Sequence, residues 1–312
     1  MDYQLTVYCL AFNHGAYIRE ALEGFVKQKT NFSFKVIVHD DASTDGTQEI
    51  IKEYQRKYPE IIFPILQKEN QYSKGVFITR HIIVPMIDTQ YTAICEGDDF
   101  WTDENKLQLQ YDFLQAHPDY VMCVHDTARV NVDGTKVGRD FIGEKQDREV
   151  TAEEIICHGQ PVFHTSSCMY RTHVQKSMSD DFRIKGIGDY PLAIFLATQG
   201  RVHYIARTMS AYRTNVAGGW TQRNMRDTTK AVAHYQNVID GLEKLDGLTE
   251  HRYSPSFQKA IAVNRYRQLK LQNKLLLMLI EPDVRTHFLH ESGKNKLKII
   301  AKWALQGLKG ES

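Results

Sequence analysis

Two apolar runs in the first hundred residues end abruptly in paired aspartates, and this pattern constrains the fold more than any other feature. Residues 91–95 lead into Glu-Gly-Asp-Asp at 96–99, and residues 34–38 lead into His-Asp-Asp at 39–41. Apolar runs rich in β-branched and aromatic residues are typical of buried strands. Open α/β sheets bind ligands at the carboxyl edge, where these acids would emerge. The pattern therefore predicts an acidic ligand site at that edge.

Strand-like and helical patterns alternate through the first half of the sequence. The predicted strands are residues 4–11, 34–39, 61–66, 91–95, 120–125 and 167–171. The predicted helices are residues 16–28, 47–58, 75–87 and 103–116, the last with Thr102 as its N-cap. This alternation predicts an α/β fold with a mainly parallel central sheet that helices flank on both faces.

From about residue 221 helical periodicity dominates, through residues 226–246, 255–280 and 294–309. We therefore divide the chain into an α/β domain of residues 1–220 and a C-terminal helical extension of residues 221–312. The last helix is basic and amphipathic, with its apolar residues on one face. Those residues are Leu297, Ile300, Ala301, Ala304 and Leu308. The helix either lies on an anionic membrane surface or packs against protein, and the sequence leaves both open.

The bulk composition excludes some classes of protein. The 312 residues carry 39 basic and 38 acidic side chains, a net charge of +1, so nothing points to a nucleic-acid partner. Five cysteines form no C-x-x-C pair, which is typical of buried thiols in a reducing cytoplasm. We find no signal peptide and no apolar run of the roughly 20 residues that cross a membrane. The expected location is cytoplasmic, with peripheral contact at the inner face of the cell membrane as an open alternative.

The paired aspartates have two interpretations. Adjacent carboxylates repel each other and are costly to desolvate, so a bound cation explains Asp98 and Asp99. A solvated turn is the alternative, because Gly and Asp favour turns for local reasons. After the second strand, we expect Asp45 to cap the next helix with Gln48 at the capping-box position, and Asp41 to be a ligand group.

Four segments together resemble family 2 glycosyltransferases of the nucleotide-sugar-binding GT-A fold, of the bacterial polysaccharide-assembly type. They are residues 7–13, 40–47, 96–99 and 188–190, in the family's order, and the resemblance covers about residues 3–220. It implies inverting, metal-dependent transfer of a sugar from a nucleotide diphosphate sugar, UDP-linked, to a glycan or lipid-linked oligosaccharide. The setting it implies is capsule, exopolysaccharide or lipopolysaccharide assembly. The Q-x-x-R-W signature of processive synthases is absent, which favours addition of a single sugar.

The resemblance also assigns roles to individual residues. At the base it implies that Phe12 stacks on the ring and that Asp41 accepts the base N–H. Leu10 would contact the nucleotide only through its backbone, and Arg80 would lie beside the nucleotide. Asp98 would face the ribose, and Asp99 would bind the metal. Mn²⁺ or Mg²⁺ fits an oxygen-only site, and no His/Cys cluster suggests zinc. Asp189 begins an apolar helix, where it can be an N-cap, and the family's general base occupies this position; the two roles are compatible.

The chain departs from the family pattern at one site. Many relatives carry a histidine after Tyr-Arg near the end of the catalytic domain, whereas residues 212–215 read Tyr-Arg-Thr-Asn. Residues 164–169 resemble the strand of the acceptor platform, and residues 218–221 are expected to form a mobile lid. Trp101 either packs on a sugar face or belongs to the core. Two rival functions are a catalytically inactive binding module and a sugar-phosphate nucleotidyltransferase, which would need a Gly-rich phosphate loop near the N-terminus.

Overall fold

A computed structural model describes residues 2–159, 162–184, 186–216, 225 and 227–307. Within these residues nine strands form one sheet: β1 Leu5–Ala11, β2 Phe34–Asp40, β3 Ile62–Leu66, β4 Tyr91–Ile94, β5 Phe100–Trp101, β6 Tyr120–Val130, β7 Arg148–Val150, β8 Met169–Arg171 and β9 Arg201–Arg213. The α-helices are α1 Ile18–Val26, α2 Thr47–Lys57, α3 Val84–Met86, α4 Lys106–Ala116, α5 Ala152–Cys157, α6 Thr172–Ser177, α7 Tyr190–Gln199, α8 Thr228–Leu248, α9 Ser254–Leu271, α10 Leu275–Ile280, α11 Pro282–His290 and α12 Gly293–Gly307.

The sheet is parallel on one side and mixed on the other. Its order is β3-β2-β1-β4-β8-β6-β9-β5, with β7 paired to β9, and β3, β2, β1 and β4 run parallel. The predicted α/β class is confirmed. The expectation that residues 167–171 continue the parallel alternation is wrong, because β8 pairs antiparallel with both β4 and β6. The chain enters β8 beside the end of β4, where the Ile94 N–H donates to the Cys168 carbonyl at 3.4 Å, so β8 runs back against β4.

Hydrogen bonds between loops hold the carboxyl edge of β1, β2 and β4 together. The Asp41 N–H donates to the carbonyl of Ala11 at 2.9 Å, and the Gly97 N–H donates to the carbonyl of Leu10 at 2.9 Å. Beneath this edge the alternate residues of β1 and the inner face of α1 are buried in one hydrophobic core. The acidic segments therefore emerge from a rigid platform rather than from free loops.

Several predicted helix boundaries are corrected. Helix α4 begins at Lys106 rather than 103, because the Asp103 carboxylate accepts the Asn105 N–H at 2.9 Å in a local turn and Thr102 pairs with β9. The helix predicted at 75–87 begins only at Thr79, with π geometry. The single helix predicted at 255–280 is two helices. Asn273 adopts φ 55° and the Lys274 N–H returns to the Leu269 carbonyl, which ends α9.

The chain divides into two compact units. The first contains Met1–Thr151, Val162–Met178 and Leu196–Val216, and the second contains Ala152–Pro161, Ser179–Phe195 and Ala217–Ser312. The division of the chain into domains at residue 220 stays a prediction. By packing, two earlier segments join the second unit, and Asp189 lies in one of them.

The last helix of the second unit presents two different faces. Ile299 is buried with α9, α10 and α11 residues in a small core. Leu297, Ile300 and Leu305 are exposed, at 69%, 43% and 60% of their surface. The apolar face predicted for this helix therefore lies mostly on the surface of the unit. Among the described helices, none combines the length and the apolar character that a membrane crossing needs.

Candidate active site

Three carboxylates cluster in the segment that follows β4. Glu96, Asp98 and Asp99 each offer an oxygen within 4.8 Å of the others, the one such group of potential metal ligands found in the described part of the chain. Asp99 is 1% exposed, and its Oδ1 accepts the Arg213 N–H at 2.9 Å. Its Oδ2 has no hydrogen-bond partner among the described residues. Burial, together with the charges of Asp98 and Glu96, raises the pKa of Asp99 well above its usual value.

A buried acid with an unpartnered oxygen beside two further acids is the environment that a hard cation would stabilise. Proteins rarely leave a buried polar atom unpaired, because the unpaired group costs about 1–3 kcal/mol. An oxygen-rich donor set is also what Mg²⁺ and Mn²⁺ prefer. The residues present therefore fit the divalent cation that the sequence predicts, and the role of Asp99 as its ligand stays a prediction.

Arg213, at the end of β9, donates hydrogen bonds to two residues of this cluster. Its backbone N–H holds Asp99, while its guanidinium donates to the Asp98 carbonyl at 2.8 Å and pairs with Glu20. The same guanidinium lies over the Phe100 ring, 4.6 Å from its centroid. The sequence assigns Arg213 no role, because strand β9 is not predicted from it. Register shifts against β6 interrupt the alternation of side chains along β9, so its sequence does not show the period of two that indicates a strand.

His164 approaches the same aspartate from the 3₁₀ turn before β8. Its Nε2 lies 3.6 Å from Asp99 Oδ2, and its side chain is only 11% exposed. Its Nδ1 accepts the Ser166 N–H at 3.2 Å and lies 2.8 Å from Ser166 Oγ. Burial and the charge of Arg129 lower the pKa of His164 to about 3, so the imidazole is neutral at pH 7. The sequence placed this residue in an acceptor platform and gave no reason to bring it to Asp99.

Asp41, at the end of β2, holds a neighbouring loop. Its Oδ1 accepts the Gln71 N–H at 2.7 Å, and its Oδ2 accepts the Tyr72 N–H at 3.1 Å. The side chain is nearly fully buried, at 3% exposure. Each carboxylate oxygen keeps a further lone pair, so contact with a base N–H remains compatible with these bonds. The role of Asp41 in binding uracil stays a prediction.

Asp45 caps α2 from one residue further back than a standard N-cap. Its Oδ1 accepts the Thr47 N–H at 3.2 Å, its Oδ2 accepts the Gly15 N–H at 2.8 Å, and Gly46 between them adopts φ 90°. The predicted capping box is wrong. The Gln48 amide donates to the Asp40 carboxylate at 2.6 Å instead, because that buried acid needs donors.

The remaining predicted nucleotide contacts lie on the first unit. Leu10 and Phe12 are half-buried at the end of β1 and just beyond it, and the Leu10 carbonyl is already engaged by Gly97. Arg80 is half-buried in the π-helical segment Thr79–Ile83. Asp98 is half-buried, with its Oδ2 3.8 Å from His14 Nε2. Their roles toward a nucleotide stay predictions.

Asp189 is half-buried in the second unit at the start of α7, and its carbonyl accepts the Ala193 N–H at 3.1 Å. Burial raises its pKa. Its roles as base and cap both stay predictions. The expected lid at 218–221 lies outside the described residues.

Trp101 belongs to the core. It is 4% exposed, and its indole N–H donates to the Ser166 carbonyl at 2.9 Å. The Lys106 ammonium lies over the ring, 4.1 Å from its centroid, and donates to Gln110 at 2.7 Å. Trp101 is therefore unsuited to stack on a sugar, and the core interpretation is confirmed.

The acidic cluster lies at the end of a parallel strand, at the edge where open α/β sheets bind their ligands. The family model described as glycosyl transferase family 2 matches residues 6–177. The chain belongs to this family.

Relatives and solved structures agree with the family. The chain is 33% identical over 69% of its length to the uncharacterized protein Rv1520 of Mycobacterium tuberculosis, and it spans 60% of that relative's length. It is 24% identical to the chondroitin synthase of Escherichia coli over 87% of this chain and 37% of the synthase.

Two solved structures show the same fold at low identity. S. aureus TarS 1-349 in complex with UDP has a TM-score of 0.57 at 16% identity and aligns with 94% of this chain and 77% of its own. Mannosyltransferase PcManGT from Pyrobaculum calidifontis, in complex with GDP-Man and Mn2+, has a TM-score of 0.51 at 15% identity and aligns with 100% of this chain and 89% of its own. The GT-A-type fold is therefore confirmed.

Proposed function

We propose that this family 2 glycosyltransferase is an inverting, metal-dependent enzyme that transfers a single sugar from a UDP-linked donor to a glycan acceptor in capsule, exopolysaccharide or lipopolysaccharide assembly. The observation that carries the proposal is the buried Asp99, with its unpartnered oxygen, inside an acidic cluster at the carboxyl edge of the sheet. The likeness to structures named with UDP, and with GDP-Man and Mn2+, supports a nucleotide-sugar donor and a divalent cation.

Each part of the reaction has a residue suited to it. Asp99 would hold the cation, Mn²⁺ or Mg²⁺, which would supply charge neutralisation for the leaving diphosphate. Asp98 orients the ribose, Asp41 accepts the base N–H, and Phe12 packs on the base. Arg80 supplies a planar cation for phosphate or base oxygens. Leu10 contributes only its backbone.

Asp189 is the proposed general base. Burial raises its pKa, which makes the ionised carboxylate a better proton acceptor. A single base that activates the acceptor hydroxyl opposite the leaving group gives inversion, because no second carboxylate is assigned as nucleophile.

The exposed apolar face of α12 supports peripheral contact with an anionic membrane, at the inner face of the cell membrane. Residues on a helix are about 100° apart, so Leu297 and Ala301 lie on the side opposite the buried Ile299. Lys296 flanks this outer face on one side, and Lys298 and Lys302 flank it on the other. An apolar stripe between lysines suits the boundary of anionic headgroups and acyl chains.

A donor screen tests the proposal. Purified protein with Mn²⁺ is incubated with UDP-sugars and GDP-sugars, with and without lipid-linked oligosaccharide acceptors, and release of the nucleotide diphosphate is measured. We expect acceptor-stimulated UDP release that Asp99→Ala abolishes. Binding of a nucleotide sugar without any turnover would favour the inactive binding module. Release of pyrophosphate from a sugar phosphate and a nucleoside triphosphate would favour the nucleotidyltransferase.

A further inference from the structure

We propose that His164 is the nitrogen ligand of the divalent cation that Asp99 holds. The inference rests on the proposed function, and it adds a ligand from an element that sequence reasoning did not connect with the cation. It makes the protein's share of the donor set one carboxylate and one imidazole, with the acids Glu96 and Asp98 beside them.

The distance between the two side chains fits ligands of one ion better than a hydrogen bond. His164 Nε2 and Asp99 Oδ2 are 3.6 Å apart, beyond the range of a hydrogen bond, and Oδ2 has no partner among the described residues. Two ligands that each lie about 2.1 Å from one ion are roughly 3–4 Å apart, depending on the angle at the metal. The side chains of His164 and Asp99 are both shielded from solvent, so bulk water does not account for the 3.6 Å separation of Nε2 and Oδ2.

The imidazole is held so that Nε2 is the atom presented to Asp99. A neutral ring whose Nδ1 accepts the Ser166 N–H carries its proton on Nε2. Coordination through Nε2 needs the other tautomer, in which Nδ1–H donates to Ser166 Oγ, 2.8 Å away, in place of accepting the Ser166 N–H. Ser166 Oγ can accept this proton because its own hydroxyl donates to Ser210 Oγ. A ligating histidine almost always has its second nitrogen held in this way. The Tyr212 ring lies against the imidazole, with centroids 4.4 Å apart, and limits its rotation.

The end of β9 positions both ligands. Tyr212 packs on His164, and the next residue, Arg213, donates its N–H to Asp99 Oδ1. In this chain the Tyr-Arg segment itself carries no histidine at residues 214–215. The segment therefore does not supply a nitrogen but orients one that comes from the 3₁₀ turn.

A mixed oxygen and nitrogen donor set has a consequence for metal choice. Imidazole suits Mn²⁺ and later transition metals better than Mg²⁺, which prefers oxygen ligands and retains its waters. The protein should therefore hold Mn²⁺ in the presence of UDP more tightly than Mg²⁺.

The test uses the full chain and the variant His164→Asn. Asparagine keeps an acceptor near the Nδ1 position for the Ser166 N–H and is a favoured cap of a helical turn, while it deletes Nε2. His203→Asn is the matched control, because His203 is a shielded histidine at the opposite end of β9, stacked on Phe113. Mn²⁺ binding in the presence of UDP is measured by calorimetry, and pulsed EPR detects nitrogen bound to Mn²⁺.

We expect wild type and His203→Asn to show nitrogen coupling to Mn²⁺. His164→Asn should lose the coupling, bind Mn²⁺ about tenfold or more weakly, and lose the preference for Mn²⁺ over Mg²⁺, with metal-free UDP affinity unchanged. Mn²⁺ bound by wild type without nitrogen coupling, or coupling that persists in His164→Asn, would overturn the ligand and leave the proposed function standing. Failure of wild type to bind Mn²⁺ with UDP would overturn both.

Discussion

At the scale of single residues, Asp41 has a structural task as well as its proposed one. Its carboxylate holds the N–H groups of Gln71 and Tyr72, so Asp41→Ala leaves two backbone donors unpaired and should lower the melting temperature. If Asp41 also accepts the base N–H, UDP affinity should fall by about 1–3 kcal/mol. Calorimetry with UDP and a thermal melt separate the two effects. A lower melting temperature with unchanged UDP affinity would leave Asp41 only as the anchor of this loop.

Asp189→Asn is the sharpest test of mechanism at this scale. The amide keeps the shape of the side chain and caps a helix nearly as well, so folding and UDP affinity should survive. The basic lone pair is lost, and general-base catalysis contributes about 10²–10⁴-fold, so kcat should fall by that order. The assay measures transfer to the acceptor, because hydrolysis of the donor by water need not use the same base. Transfer within a few-fold of wild type would reduce Asp189 to a cap.

At the scale of elements, the sequence predicts those parts of the fold that local signals determine. The sequence predicts β2 and β4 because each is a largely apolar run that leads directly into acidic residues. Strands β5 and β7 have only two and three residues, too few for any periodicity, and bulges interrupt β9. The approach of His164 to Asp99 depends on how β8 and β9 are arranged in the sheet. No pattern within either segment specifies that arrangement.

Helix α12 carries the prediction that belongs to an element. The double substitution Leu297→Gln and Ile300→Gln removes two exposed apolar side chains and leaves the buried Ile299 in place. Burial of such side chains in a membrane interface is favourable, so binding to anionic vesicles should weaken about tenfold or more. Co-sedimentation with phosphatidylglycerol vesicles measures this. The matched control is Met86→Gln on α3, which also removes an exposed apolar side chain, at 48% exposure. Equal vesicle binding by all three proteins would leave α12 only its packing role.

At the scale of the whole molecule, a buried lysine belongs to a hydrogen-bond network that connects three elements next to the site. Lys106 is fully buried and donates to Gln110, whose amide in turn donates to the carbonyls of Cys123 and Ser167, both at 2.8 Å. This network joins α4 and β6 to the turn that carries His164. Charge at such a position is costly, and burial lowers the pKa of Lys106 from its ordinary 10.5 to about 7.

That pKa makes stability depend on pH in a defined direction. Between about pH 7 and 10.5 the unfolded state binds a proton at Lys106 that the folded state has released, so the free energy of unfolding rises with pH in this window. Lys106→Met keeps similar bulk without the titrating amine. From pH 7 to 8.5, the stability of wild type relative to Lys106→Met should therefore increase by about 1–2 kcal/mol, measured by denaturant unfolding at each pH. Lys27→Met, at a side chain 68% exposed, is the control and should show no such change. Parallel pH curves for wild type and Lys106→Met would mean that the buried amine keeps its ordinary pKa, and that the network beneath the site holds a full positive charge.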